Sequence, residues 1–228
     1  MSSVIAVLQQ SCEAADLIRR LRTSTSMGRF DNRDTWDNEN GEGCMETARI
    51  RSANVLLPSD DGAPTASWPH PNPLEEERVA NTDFRSVDLS SHRLVDVTFD
   101  RCRFRASRLM GVSLVRVSLR DVVFEGCQFD YATWAQVRAV SDVAFVGCSF
   151  KEAAFEGCDL RKAVFDDCAF GVDLRDTSLA GADLRGSDLS GLSGLASLRG
   201  AKVTEMQLRQ LSEAMVRDLD LTVAEVPL

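Results

Sequence analysis

At 228 residues with 44% apolar side chains, the chain is long enough to bury a substantial core in one or two domains. Its formal charge of −9 argues against a general nucleic-acid binder, which normally carries a basic surplus. Seven cysteines, an odd number, exclude a complete intramolecular disulfide framework and are expected as free thiols in a reducing compartment.

The opening stretch MSSVIAVLQQSCEAADL holds a short apolar run, has no basic start and reaches Glu13 and Asp16 early, so neither a signal peptide nor a membrane span is expected. A soluble, cytoplasmic protein is therefore expected. From Ser3 to about Thr23 the spacing of Val4, Leu8, Cys12, Ala15 and Ile18 predicts an amphipathic helix. Residues 24–80 then become rich in Ser, Asp, Asn, Gly and Pro, including WPHPNPLEEE, and read as an irregular arm with a short strand at Ala53–Leu57. Trp36 and Trp68 are the candidate anchors if this arm docks on the C-terminal part of the chain.

Between about Asn81 and Thr204 the period is five. Phe84, Leu89, Leu94, Phe99, Phe104, Leu109, Leu114, Leu119, Phe124, Phe129 and Trp134 succeed one another at that step without a gap. One extra residue near Val140 shifts the register to Phe145, Phe150, Phe155, Leu160, Phe165 and Phe170. A one-residue deletion near Val172 leads to Leu174, Leu179, Leu184 and Leu189, and the series falters at Gly194 before closing at Leu198 and Val203. Bulges or kinks are expected at these breaks. Two residues before each large side chain stands a compact one, such as Val97, Cys102, Val112, Val122, Cys127, Cys148, Ala163 or Cys168. Neither a helix nor a flat strand buries positions i and i−2 at a strict step of five, whereas a chain that turns a corner every five residues does.

The stretches ADLRG (Ala182 to Gly186), CDLRK (Cys158 to Lys162) and SDLSG (Ser187 to Gly191) resemble the pentapeptide-repeat family, whose consensus is A(D/N)LXX. The resemblance implies an all-β solenoid, a right-handed quadrilateral β-helix with four pentapeptides per coil and about six coils here. The expected organisation is a helix plus irregular arm over 1–80, the β-helix over 81–204, and a C-terminal capping helix and tail over 205–228. In that tail Thr204 suits an N-cap, and Leu208, Leu211 and Met215 recur at helical spacing to form the face expected to pack on the last coil.

No catalytic, cofactor-binding or metal-binding residue is assigned. Cys127, Cys148 and Cys168 are expected to stack on one face of successive coils as a thiol ladder, with Cys102 and Cys158 on other faces, an arrangement unsuited to a four-thiolate zinc site. His92 falls in an inward slot and His70 in the arm, and they share no motif with the cysteines. The chain is expected to be a binding protein, not an enzyme. Charge is uneven along the repeats: residues 81–120 carry 4 acids and 8 bases, residues 121–205 carry 14 acids and 8 bases. Arg101, Arg103 and Arg105 at the basic end, and Asp159, Asp166, Asp167, Asp173, Asp176, Asp183 and Asp188 at the acidic end, are the candidate partner surfaces. The expected function is a protein-binding scaffold of unspecified partner. The alternative comes from the resemblance: bacterial members of the Qnr and MfpA types mimic duplex DNA, bind DNA gyrase or topoisomerase IV, and protect them from inhibitors. The acidic net charge and the lack of a membrane-length apolar run predict no direct contact with nucleic acid or membrane. The same resemblance makes Leu208, Leu211, Met215, Leu219 and Leu221 candidates for a homodimer contact.

Overall fold

The five-residue step of large apolar side chains winds the chain into a solenoid of parallel strands. In the computed structural model residues 45–58, 64–222 and 224 are described. The helix expected over Ser3–Thr23 and the anchor Trp36 lie outside the described residues. Leu74 pairs with Leu94, Leu94 with Leu114, Leu114 with Trp134, Trp134 with Phe155 and Phe155 with Leu174, so six strands stack across about five full turns. On a second face Phe84 pairs with Phe104, Phe104 with Phe124, Phe124 with Phe145 and Phe145 with Phe165. Stacking starts upstream of Asn81, because Leu74–Glu75 and Arg78–Ala80 already form strands of the first turn.

The interior is built as columns. Phe84, Leu89, Phe104, Phe129, Phe145, Phe150, Phe165 and Phe170 are all fully buried, and Phe124 is nearly so. Parallel strands are stacked about 4.8 Å apart, which brings like side chains into contact turn after turn. The rings of Phe84 and Phe104 lie 4.8 Å apart, Phe104 and Phe124 4.9 Å, Phe124 and Phe145 5.1 Å, and Phe145 and Phe165 4.8 Å, all stacked. Such contacts add to the burial of each ring. The inserted residue near Val140 does not kink this column: across it the Phe124 and Phe145 rings are only 3° from parallel. The extra length is taken up at the surface, where the Ser141 hydroxyl accepts a hydrogen bond from the Asp121 amide at 2.7 Å.

Every corner demands a tight reversal. At most corners one residue adopts the left-handed conformation, and side-chain-bearing residues occupy it repeatedly: Asp96, Arg101, Ala106, Arg116 and Tyr131 have φ between 48° and 61°. Backbone bonds between turns hold these strained residues in place; the amide of Ala106, for example, donates to the Glu125 carbonyl at 2.8 Å.

Both ends are covered. At the N-terminal end Thr65 bridges to Phe84, and Trp68 lies 5.3 Å from the Phe84 ring, closing the aromatic column. At the C-terminal end come two short helices, α1 (Glu205–Gln210) and α2 (Ser212–Asp218). Thr204 and Gln207 form a capping box at the start of α1. The face turned to the last coil is Gln207, Leu211 and Ala214, all buried, whereas Leu208 and Met215, expected on that face, are exposed. The physical reason is the polar edge of the last turn. Gln207 Nε2 donates to the carbonyls of Leu184 at 2.6 Å and Ser187 at 2.8 Å. Gln210 accepts from the Leu189 amide, Arg217 donates to the Leu192 carbonyl, and Asp218 accepts from the amides of Gly194 and Leu195. A wholly apolar helix face would leave those backbone groups without partners.

Candidate functional site

The cysteines stack as the spacing implies, and their partners show what they do. Cys127 Sγ donates to the carbonyl of Phe104, Cys148 to Phe124 and Cys168 to Phe145, each between 3.4 and 3.5 Å. In the next turn the Ser187 hydroxyl donates to Phe165 at 3.0 Å, and Gln207 completes the series on Leu184. On another corner Cys158 and Thr177 repeat the pattern on the carbonyls of Trp134 and Phe155. Each side chain fills a small interior slot and satisfies one inward carbonyl of the preceding turn. Burial pushes the Cys102 thiol up to about 12 and the Cys158 thiol up to about 11, and raises Cys148 within its stack. Hydrogen bonding with Cys148 instead lowers Cys127 and Cys168, which are buried like the rest; the thiols held protonated, Cys102, Cys148 and Cys158, are poor nucleophiles and poor metal ligands. Among the described residues no group of three or more His, Cys, Asp or Glu side chains is placed to hold a metal ion. His92 sits half-buried with Nδ1 3.2 Å from the Ser90 carbonyl, and His70 lies against Trp68.

The candidate charged residues are largely paired. Arg103 bonds Glu125 and Arg105 bonds Asp83, each tying one turn to the next, and Arg101 reaches Asp100 at 3.4 Å. Arg116 likewise bonds Asp96 and lowers its pKa. In the later turns the pairs join residues two apart within one turn: Arg161 with Asp159, Arg175 with Asp173, and Arg185 with Asp183. Hydrogen bonds from Arg161 and Arg185 hold the carboxyls of Asp159 and Asp183 below the usual carboxylate range. Asp183 is fully shielded from solvent and Asp166 is bonded by Arg51. Asp167, Asp176 and Asp188 remain exposed. The structure therefore does not present the seven aspartates as one uniform acidic face.

A family model for pentapeptide repeats matches in eight copies, over residues 141–171 and 148–191. Residues 141–191 carry pentapeptide repeats. No curated protein matches it in sequence. Among solved structures the chain is similar to full-length QnrB1, a plasmid-mediated fluoroquinolone resistance protein, at 16% identity over 68% of this chain and 99% of that one, with a TM-score of 0.27. It is similar to HetL, a pentapeptide repeat protein involved in heterocyst differentiation regulation from the cyanobacterium Nostoc sp. strain PCC 7120, at 20% identity over 54% and 62% of the two chains, TM-score 0.20. A pentapeptide repeat protein from the Arabidopsis thaliana thylakoid lumen gives 12% identity, 61% and 77% coverage and a TM-score of 0.26.

Two surfaces of the solenoid depart from a polar exterior. The first is on α1, α2 and the residues after them. Met206, Leu208, Met215, Val216, Leu219 and Leu221 are between 37% and 74% exposed, and they make up six of the nine exposed large apolar side chains among the described residues. Leu211, expected among these contacts, is instead committed to the last coil at 6% exposure. The second departure went unread in the sequence. The outward position just before the large residue is normally polar, yet on the Phe124 face it holds Val123, Ala144 and Val164, all buried. They are covered by a hairpin of β1 (Met45–Ile50) and β2 (Ala53–Pro58), whose Ala53, Val55 and Leu57 are also buried. The alternation in β2 fits the short strand expected there. The arm anchors at two places, Trp68 on the open end and this hairpin on the side.

Proposed function

We propose that the chain is a non-catalytic protein-binding scaffold whose partner contact is centred on the exposed flank of α1 and α2. The observation that carries this is the clustering of Met206, Leu208, Met215, Leu219 and Leu221 on one terminal segment. Isolated exposed apolar residues are ordinary on a soluble domain, whereas a contiguous group marks a surface that another protein covers. The paired charges alongside set orientation and association rate more than affinity. Sedimentation of the purified chain and affinity capture with it, each compared with Leu219→Asp/Leu221→Asp, test this reading. Wild-type chain is expected to self-associate or retain a partner that the double variant releases, at an unchanged melting temperature; identical behaviour of the two overturns it.

The finer alternative is a DNA mimic acting on gyrase or topoisomerase IV. Exposed Asp167, Asp176 and Asp188 on the later turns favour it, and the arginine pairs on Asp159, Asp173 and Asp183 weigh against it by neutralising adjacent carboxylates. Gyrase supercoiling assayed with a quinolone decides it. Neither inhibition nor protection at micromolar protein would count against this alternative and leave the scaffold reading intact.

A further inference from the structure

The hairpin formed by β1 and β2 is a sheet of its own: the two strands pair antiparallel with each other and share no ladder with the solenoid. A two-stranded hairpin is marginal in water without a surface to lie on. The surface here is made by the repeats, which at Val123, Ala144 and Val164 replace polar outward residues with apolar ones in three successive turns. Ala53, Val55 and Leu57, alternate residues of β2, bury themselves against that strip. Polar contacts fix the position at both sides of the strip. Arg51, in the hairpin turn, bonds the Asp166 carboxylate, and the Asn54 amide donates to Asp142 Oδ2 at 2.8 Å. Gly186 leaves the space for this, since a Cβ there would stand 2.6 Å from the Arg51 guanidinium.

We infer that this hairpin is a detachable strap over a strand-binding strip. The strip accepts an extended protein segment with small apolar residues at alternate positions and a basic residue two places ahead, and β2 is its resident occupant. None of the contacts that hold the strap is part of the ladder that holds the turns together, so it opens without the solenoid unwinding. A partner segment of the same pattern then competes for Val123, Ala144 and Val164, with Asp166 taking its basic residue. This deepens the protein-binding reading and rests on it for the existence of a partner, but the strap is tested without one. Loss of capture through the α1 and α2 flank and failure of the strap are thus separate results.

The test uses the full chain and a fluorescent peptide of residues 45–58. In the variant Val55→Asp/Leu57→Asp the resident hairpin is weakened and the strip is intact. Peptide anisotropy is expected to show at least ten-fold tighter binding to this variant than to wild type, and Ala144→Glu added to it is expected to abolish that binding. Equal binding to wild type and variant, or no binding to a variant whose circular dichroism and melting match wild type, overturns the proposal. Hydrogen exchange on the unaltered chain covers the case in which the variant does not fold. Amides of β1 and β2 are expected to exchange at least ten-fold faster than those of Phe124 and Phe145, and exchange at the same rate overturns the proposal.

Discussion

At Gln207 a polar side chain lies where a helix would ordinarily bury an apolar one, and its amide ends a series of donors that begins at Cys127. Replacing it with glutamate removes the Nε2 donor and turns a carboxylate toward the carbonyls of Leu184 and Ser187. Gln207→Glu is expected to lower stability by about 1–3 kcal/mol, the cost of leaving buried polar groups unsatisfied, as read from urea unfolding. Ala106 argues in the opposite direction. It is exposed at φ 48°, where a Cβ is disfavoured. Ala106→Gly is expected to raise stability by up to about 1 kcal/mol despite the greater freedom of glycine in the unfolded chain. A lower urea midpoint in this variant would show that the corner is not strained.

Between elements, the decisive contacts are those that fasten the helices and the hairpin to the solenoid. Gly194 takes φ 81°, and a Cβ on it would fall 1.9 Å from the Leu174 carbonyl oxygen. Its amide and that of Leu195 donate to Asp218, so this position fixes the end of α2. Gly194→Ala is expected to cost at least about 2 kcal/mol and to reduce helical circular dichroism as α2 loses its anchor. Much of this level was legible in the sequence. The step of five identified the columns, and the i−2 rule placed Cys127, Cys148 and Cys168 in register. The first turn was obscured because Leu74 and Val79, although in step with Phe84, are surrounded by prolines and glutamates that read as an arm. The helix face was misread because hydrophobic spacing favours Leu208 and Met215, while the end of a solenoid presents carbonyls and amides that call for Gln207, Gln210 and Arg217. The hairpin's strand was visible in the alternation of Ala53, Val55 and Leu57. Its seat was not, because a valine or alanine at an outward repeat position is informative only when three turns are aligned.

For the solenoid as a whole, charge pairing changes character from one end to the other. Early turns are linked across the stack by Arg103–Glu125, Arg105–Asp83 and Arg116–Asp96, whereas in later turns both partners of a pair lie in the same turn. Asp159 and Asp183 have pKa values below those of the unfolded chain. Their contribution is complete above the unfolded carboxylate pKa of about 4 and is lost as pH falls through the lower folded value. Melting temperature is therefore expected to drop below about pH 4, with a shallower drop in Asp183→Asn; parallel curves would show that this pair contributes nothing to acid sensitivity. Removing residues 204–228 exposes the last edge of parallel strands, and the shortened chain is expected to form larger species by light scattering.

The interior donors also have a direction. Cys127, Cys148, Cys168, Ser187 and Gln207 each reach back to a carbonyl in the turn before, and in this series none reaches forward. During synthesis the N-terminal turns emerge first, and each new turn brings the group that completes its predecessor. Winding can thus keep pace with translation, leaving one unfinished rim at a time. The last rim is closed only when Gln207 has left the ribosome, so the completion of the whole stack waits on α1.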